Sequence, residues 1–234
     1  MEIKVQLGPE WAPKLMVVSH ERSGTHFLMN SLAQNFQYDS VNWIDLDMNL
    51  PINFWNPVNI LDFVRMVKGQ PMLNIVKSHH PVEFFKPILP QLLDEFFLFY
   101  IHRDEKGVMN SCSRHYNTME WDAGPKTENG EEYAKAEPRG GMLRYQKQQY
   151  KTCRERWEAH VHGWINGVPL SLMNKVIYVK YHDLLNHFDM VIKYISGRVG
   201  LACPEYPVMP NKFENVVTPN VDEFNQLKSE VSNG

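Results

Sequence analysis

Four short apolar runs punctuate this chain of 234 residues, at 15–18, 72–76, 96–101 and 176–179. Each is nearly continuous. A strand that buries one face alternates apolar with polar side chains, whereas a strand buried on both faces reads as an unbroken apolar stretch. Between the runs lie helical patterns. Leu28, Leu32 and Phe36 recur four apart, Val108 and Cys112 precede His115 and Tyr116, and Phe188, Val191, Ile192, Ile195 and Val199 follow the last run. Strand-then-helix alternation predicts an α/β chain, a three-layer sandwich around a central parallel sheet with right-handed crossovers. The length suits one domain, read as 1–234. In such sheets ligands bind beyond the carboxyl ends of the strands, so the residues after each run carry the chemistry.

Charge and composition limit the partners. A formal net charge of −3 with pI about 6.4 provides no global basic field for nucleic acid. No apolar run approaches the roughly 20 residues of a membrane span, and no secretory h-region is visible near the start. The expectation is a cytoplasmic protein with no nucleic-acid or membrane partner. Cys112, Cys153 and Cys203 have no metal-like spacing and read as reduced thiols.

The first run leads into Arg22-Ser23-Gly24-Thr25-His26-Phe27. A buried strand, a short loop and a helix form an anion-binding layout: loop amides and the helix N-terminus point positive dipoles at a phosphate. Ser23 and Thr25 add hydroxyls, Gly24 permits close backbone approach, and Arg22 adds a forked cation. There is no Walker A sequence. The second run ends in Lys77-Ser78-His79-His80-Pro81, a cation, a hydroxyl and an imidazole suited to base catalysis. Either histidine alone reads equally as a surface residue ahead of a helix, and a metal there lacks further ligands at suitable spacing. The third run ends at His102-Arg103-Asp104, with Ser111 about two helical turns later. Arg103 and Ser111 grip one anion if the helix returns across the strand end; the bland alternative pairs Arg103 with Asp104 or Glu105.

The stretch 118–141, with Gly124-Pro125, Asn129-Gly130 and Pro138-Arg139-Gly140-Gly141, reads as a turn-rich loop or lid. Residues 141–165 read as one helix, and 204–234 as an irregular tail.

Taken in order, these motifs resemble the PAPS-dependent sulfotransferase family, closest in pattern to its cytosolic, small-molecule members; PAPS is 3′-phosphoadenosine 5′-phosphosulfate. The resemblance spans roughly 15–201. It implies a P-loop-NTPase-like fold, with PAPS as co-substrate, PAP (adenosine 3′,5′-bisphosphate) as product and no metal. Arg22-Ser23-Gly24-Thr25 matches the 5′-phosphosulfate loop, Lys77-Ser78-His79 the segment with the catalytic base, and Arg103 with Ser111 the 3′-phosphate pair. Trp157, His160, Val161 and Trp164, then Val176 to Leu185, match a late stretch in which Tyr181 falls on the adenine-contacting tyrosine; Phe27 falls where an aromatic stacks on that adenine. The resemblance implies His79, Lys77 and Arg22 as catalytic, and His26 beside the 5′-phosphate. It further implies a small-molecule acceptor and a monomer or homodimer.

The chain departs from the family in lacking the late Arg-Lys-Gly motif that adds 3′-phosphate contacts, and Lys212 or another basic residue is the candidate substitute. It is short, it has no family dimerisation segment, and it carries Glu21 and His26 where proline and a second threonine are usual. Acids and aromatics at 42–59 and 118–141, among them Asp45, Asp47, Phe54, Trp55 and Trp121, suggest a polar or cationic acceptor. The competing readings are a nucleotide or small-molecule kinase, for which the Walker A lysine is missing, and a non-catalytic binder of adenosine bisphosphate.

Overall fold

The computed structural model describes residues 5–49 and 58–210. Among these, five parallel strands form one sheet in the order β2-β3-β1-β4-β5. They are β1 (Lys14–Val18), β2 (Asp39–Asp45), β3 (Asn74–Ser78), β4 (Phe96–His102) and β5 (Val176–Lys180). The helices are α1 (Thr25–Phe36), α2 (Leu46–Asn49), α3 (Val58–Met66), α4 (Val82–Phe85), α5 (Leu89–Glu95), α6 (Glu105–Asn117), α7 (Gly130–Lys135), α8 (Cys153–Asn166), α9 (Leu170–Met173), α10 (Tyr181–Asn186) and α11 (Phe188–Val199), with a 3₁₀ segment at Gly140–Tyr145.

The continuous apolar runs arise because successive side chains of each strand enter different cores. Met16, Val18, Val76, Leu98, Tyr100 and Val176 face one side, packed by residues of α3, α4, α5 and Trp164 of α8. Leu15, Val17, Ile75, Phe99, Ile101 and Ile177 face the other, packed by α1 and α11. With no solvent face to keep polar, β-branched and aromatic residues fill both sets. A third, smaller core joins α6 to α7 and α8 through Val108, Cys112, Tyr116, Tyr133 and Cys153. It props the loops above the strand ends. Among the described residues no helix is long and apolar enough to cross a membrane.

Three sequence expectations change. Strand β2 was not anticipated: it lies at the sheet edge, and Asp-Ser-Val-Asn-Trp-Ile-Asp mixes polar with apolar residues, with a register irregularity between Asp39 and Ile44. The lid 118–141 is not all loop. Asn129, read as part of a turn, caps α7 by accepting hydrogen bonds from the Glu131 and Glu132 amides at 3.0 Å, and α7 buries Tyr133 and Ala134. The single helix expected over 141–165 is broken. The 3₁₀ segment buries Met142 and Tyr145, and α8 starts afresh where the Thr152 hydroxyl accepts from the Glu155 amide at 3.1 Å. Phe54, Trp55, Lys212 and most of the expected tail lie outside the described residues.

Candidate active site

The loop after β1 turns sharply. Arg22 adopts φ 63° and Gly24 φ 99°, both in the left-handed region that glycine enters freely and other residues rarely. A Cβ at Gly24 would also collide with the Tyr181 ring. Gly24 caps α1, whose first turn contains no acidic residue, so its positive end faces the cavity uncompensated. The Thr25 and Ser19 hydroxyls lie 2.5 Å apart. Ser23 is fully enclosed, and its hydroxyl lacks a partner among the described residues.

Beneath the loop lies a buried ion pair. Arg156 of α8 donates to the Glu21 carboxylate at 2.7 Å and to His20 Nε2 at 2.9 Å. The His20 Nδ1 proton goes to the Glu21 carbonyl at 2.9 Å. Arg156 holds the Glu21 carboxyl far below the usual carboxylate range, outweighing the opposing effect of burial. Position 21, where the sequence departs from the pattern it resembles, thus ties α8 to the anion-binding loop.

The end of β3 separates the two adjacent histidines. His80 is buried, donates to Asp47 Oδ1 at 2.7 Å and stacks on Phe84 with ring centroids 4.0 Å apart. It is a packed core residue rather than a surface one. His79 faces the cavity. Its Nδ1 lies 3.0 Å from the Ser19 carbonyl, a pure acceptor, so Nδ1 carries the proton and Nε2 keeps a free lone pair. The His79 backbone is fixed at both ends: its amide donates to Asp47 at 3.3 Å, and its carbonyl accepts from His160 Nε2 at 3.2 Å. His160, in turn, accepts from the Tyr100 hydroxyl at 3.1 Å. Burial first, and then the Lys77 cation, lower the His79 pKa to about 3. Lys77 itself forms a 2.6 Å ion pair with Asp45.

At β4 the helix does return across the strand end. Arg103 and Ser111 line the same cavity as Arg22, and Arg22 Nε donates to Ser111 Oγ at 3.1 Å. Asp104 is occupied elsewhere, capping α6 through the Gly107 amide at 2.7 Å and bonding His182 at 2.7 Å. It stays 3.9 Å from Arg103. Glu105 pairs with Arg154 at 2.6 Å. Arg103 lies over the Tyr181 ring, 4.3 Å from its centroid, and its Nε has no hydrogen-bond partner among the described residues.

Arg22, Gly24, Thr25, His26, Lys77, His79, Arg103, Ser111 and Tyr181 therefore surround one cavity of about 480 Å³. Two sequence-predicted residues are placed differently. Ser23 lies just behind the wall. Phe27 is wholly buried, with its ring edge against Tyr181 at 5.9 Å and stacked on Phe188 at 6.4 Å; it backs the tyrosine instead of facing a ligand. His26 meets Trp43 edge-on at 5.2 Å, and burial, with Lys77 and Arg22, lowers its pKa to about 3.

Of the far wall, sequence reasoning singled out only the 118–141 loop with Trp121. Arg114 stands one helical turn beyond Ser111 on α6, and Tyr116, Trp121, Arg144 and Tyr145 complete the lid side. Arg114 was legible in principle, because positions three apart share a helix face. Two acids behind the expected cationic acceptor are engaged elsewhere, Asp45 with Lys77 and Asp47 with His80.

The buried histidines carry a pH signature. Burial lowers His20 to about 4, His26 and His79 to about 3, and His160 well below its usual value. Below about pH 6.5 the unfolded chain binds protons that the folded protein refuses, so stability falls with acidification toward pH 4. The melting temperature should drop by several degrees between about pH 7.5 and about pH 5. A flat profile would mean that these histidines titrate freely.

The family model described as the sulfotransferase domain matches residues 12–224. No curated protein matches the sequence. Among solved structures, mouse sulfotransferase SULT7A1 complexed with PAP aligns at TM-score 0.54 and 17% identity, over 85% of this chain and 61% of that one. Retinol dehydratase in complex with retinol and PAP aligns at TM-score 0.51 and 19% identity, over 87% and 63%. The chain thus spans about three fifths of the length of either protein. At such identities the likeness is one of fold.

Proposed function

This chain belongs to the sulfotransferase domain family, and from that premise we propose that it moves a sulfuryl group from PAPS to a hydroxyl or amine of a small-molecule acceptor. The observation that carries the reading is the convergence of Arg22, Lys77, Arg103 and Ser111 on one cavity, with Arg22 bonded directly to Ser111. Cations from three strand ends suit a ligand with two separated phosphates. The Arg103 Nε and the Ser23 hydroxyl, both without a hydrogen-bond partner among the described residues, are what such anions would satisfy. Bound PAPS supplies the sulfuryl group and a bisphosphate leaving group.

In this reading the chain divides the work. The loop amides, Thr25 and His26 surround the 5′-phosphate; Arg103 and Ser111 take the 3′-phosphate, and Tyr181 offers its ring to the adenine. His79 Nε2 accepts the proton of the acceptor, while Arg22 and Lys77 neutralise charge growing on the leaving oxygen. Positioning and fixed cations carry most of the stabilisation, as in phosphoryl transfer. The direct test is incubation with radiolabelled PAPS and a panel of phenols, alcohols and amines. Label should move to an acceptor, and the purified protein should bind PAP. If it does neither, the reading is wrong.

We further assign to Arg114 a supporting contact beside the 3′-phosphate. It shares the cavity-facing side of α6 with Ser111, and residues 201–210 hold no basic residue. Arg114→Gln should weaken PAP binding by roughly three- to ten-fold, and added salt should shrink the loss, because the side chain is exposed. Titration calorimetry at two salt concentrations measures both effects, and unchanged affinity would remove Arg114 from the site.

A further inference from the structure

We propose that the acceptor is an aromatic hydroxyl compound bearing a carboxylate, and that Arg144 receives the carboxylate; this rests on the sulfotransferase reading above. The strand order gives the cavity two ends. Arg103 and Tyr181 follow β4 and β5, and the anion-binding loop follows the central β1. These positions form the donor end. His79 and Asp45 lie at the ends of β3 and β2, so the acceptor enters from that side.

The 3₁₀ segment covers this acceptor end. Tyr145 sets its ring edge against His79, centroid to centroid 5.5 Å, and Arg144 lies over the Tyr145 face at 4.5 Å. Arg144 Nη2 donates to the Tyr145 hydroxyl at 2.6 Å, which orients the guanidinium. Its Nε is buried with no hydrogen-bond partner, and no carboxylate lies within ion-pair distance of it among the described residues. A half-buried guanidinium whose enclosed Nε has an unmet donor, beside a cavity, is a costly arrangement unless a ligand completes it.

The charge balance of the acceptor end points the same way. The two carboxylates on the cavity wall are both engaged: Asp45 pairs with Lys77 at 2.6 Å, and Glu21 pairs with Arg156 at 2.7 Å. Glu21's other oxygen faces His20 at 3.5 Å. Glu21 Oε2 is enclosed and lacks a hydrogen-bond partner, but its carboxylate already answers Arg156, whereas Arg144 has no ion-pair partner among the described residues. The rings of Tyr145, Trp121 and Tyr116 on the same wall suit a flat aromatic frame. A hydroxyl reaching His79 and a carboxylate reaching Arg144 would place that frame along Tyr145.

Binding to the PAP complex tests this without requiring turnover. Titration calorimetry on the PAP-saturated protein compares three phenols of similar shape: para-hydroxyphenylpropionate, para-ethylphenol and tyramine. The carboxylate should bind at least about ten-fold more tightly than the neutral phenol, the worth of one charge-assisted bond, and tyramine most weakly. In Arg144→Gln the ratio of carboxylate to neutral affinity should fall toward one, and Arg144→Lys should restore part of it. A variant that merely loosens the lid weakens all three together and leaves the ratio alone. A wild-type ratio near one, a preference for tyramine, an unchanged ratio in Arg144→Gln or failure of every phenol to bind overturns the proposal. If PAP itself fails to bind, the underlying donor reading falls first and takes this one with it.

Discussion

Replacing His79 with alanine is expected to lower turnover by roughly 10²-fold or more while the protein still folds and binds PAP. The expectation follows from how the imidazole is held. Its Nδ1 proton points at the Ser19 carbonyl, its amide is anchored by Asp47 and its carbonyl by His160, so Nε2 is presented unprotonated to the cavity. The lowered pKa ensures that this nitrogen is neutral throughout the ordinary pH range. It also means that the free enzyme's base is weak; anions bound beside Lys77 would offset the cation and raise its basicity. His80→Ala makes the contrast. His80 packs on Phe84, so its loss should cost stability, with the melting temperature as the readout. Near-normal turnover in His79→Ala would place the base elsewhere.

The second large effect concerns Arg103. Arg103→Ala should weaken PAP binding by about 2 kcal/mol or more, roughly thirty-fold, since truncating one partner of a desolvated charge pair costs on that order. The lower end of that range applies because the side chain is 23% exposed. Local geometry makes the arginine specific. Its guanidinium lies over Tyr181, and a Cβ on Gly107 would come within 2.5 Å of its Nε; only glycine there lets the side chain lie flat across the first turn of α6. Calorimetry reads the loss, and an unchanged dissociation constant would detach Arg103 from the 3′-phosphate.

Much of this architecture could be read from the chain, and the reason is physical. Strands β1, β3, β4 and β5 bury both faces, and double burial leaves an unbroken apolar signature. Edge strand β2 leaves no such run, because Asn42 is exposed while the buried Asp45 pairs with Lys77 and accepts from the Asp47 amide at 3.0 Å. The phosphate-loop motif and the Arg103–Ser111 spacing were legible because each is local: a strand end, a turn and a helix start, within a dozen residues. Most of the far wall was not. Tyr145 meets His79, with Arg144 lying over its ring, where α6, α7 and α8 build a third core under the lid, a tertiary fact with no local pattern. Phe27 shows the opposite failure. Motif position put it beside a nucleotide, whereas the pitch of α1 carries its ring inward onto Phe188. By residue type alone His79 and His80 read alike, and in the structure Asp47, arriving on α2, separates the cavity-facing imidazole from the packed one.

The central claim is that the tips of neighbouring strands clasp both phosphates of one adenosine. It is tested most directly by titrating the protein with PAP and, separately, with AMP, which lacks the 3′-phosphate. With Arg103 and Ser111 turned to the same cavity as Arg22, PAP should bind at least ten-fold more tightly than AMP, as a desolvated charge pair requires. Equal affinities for the two nucleotides would contradict the account.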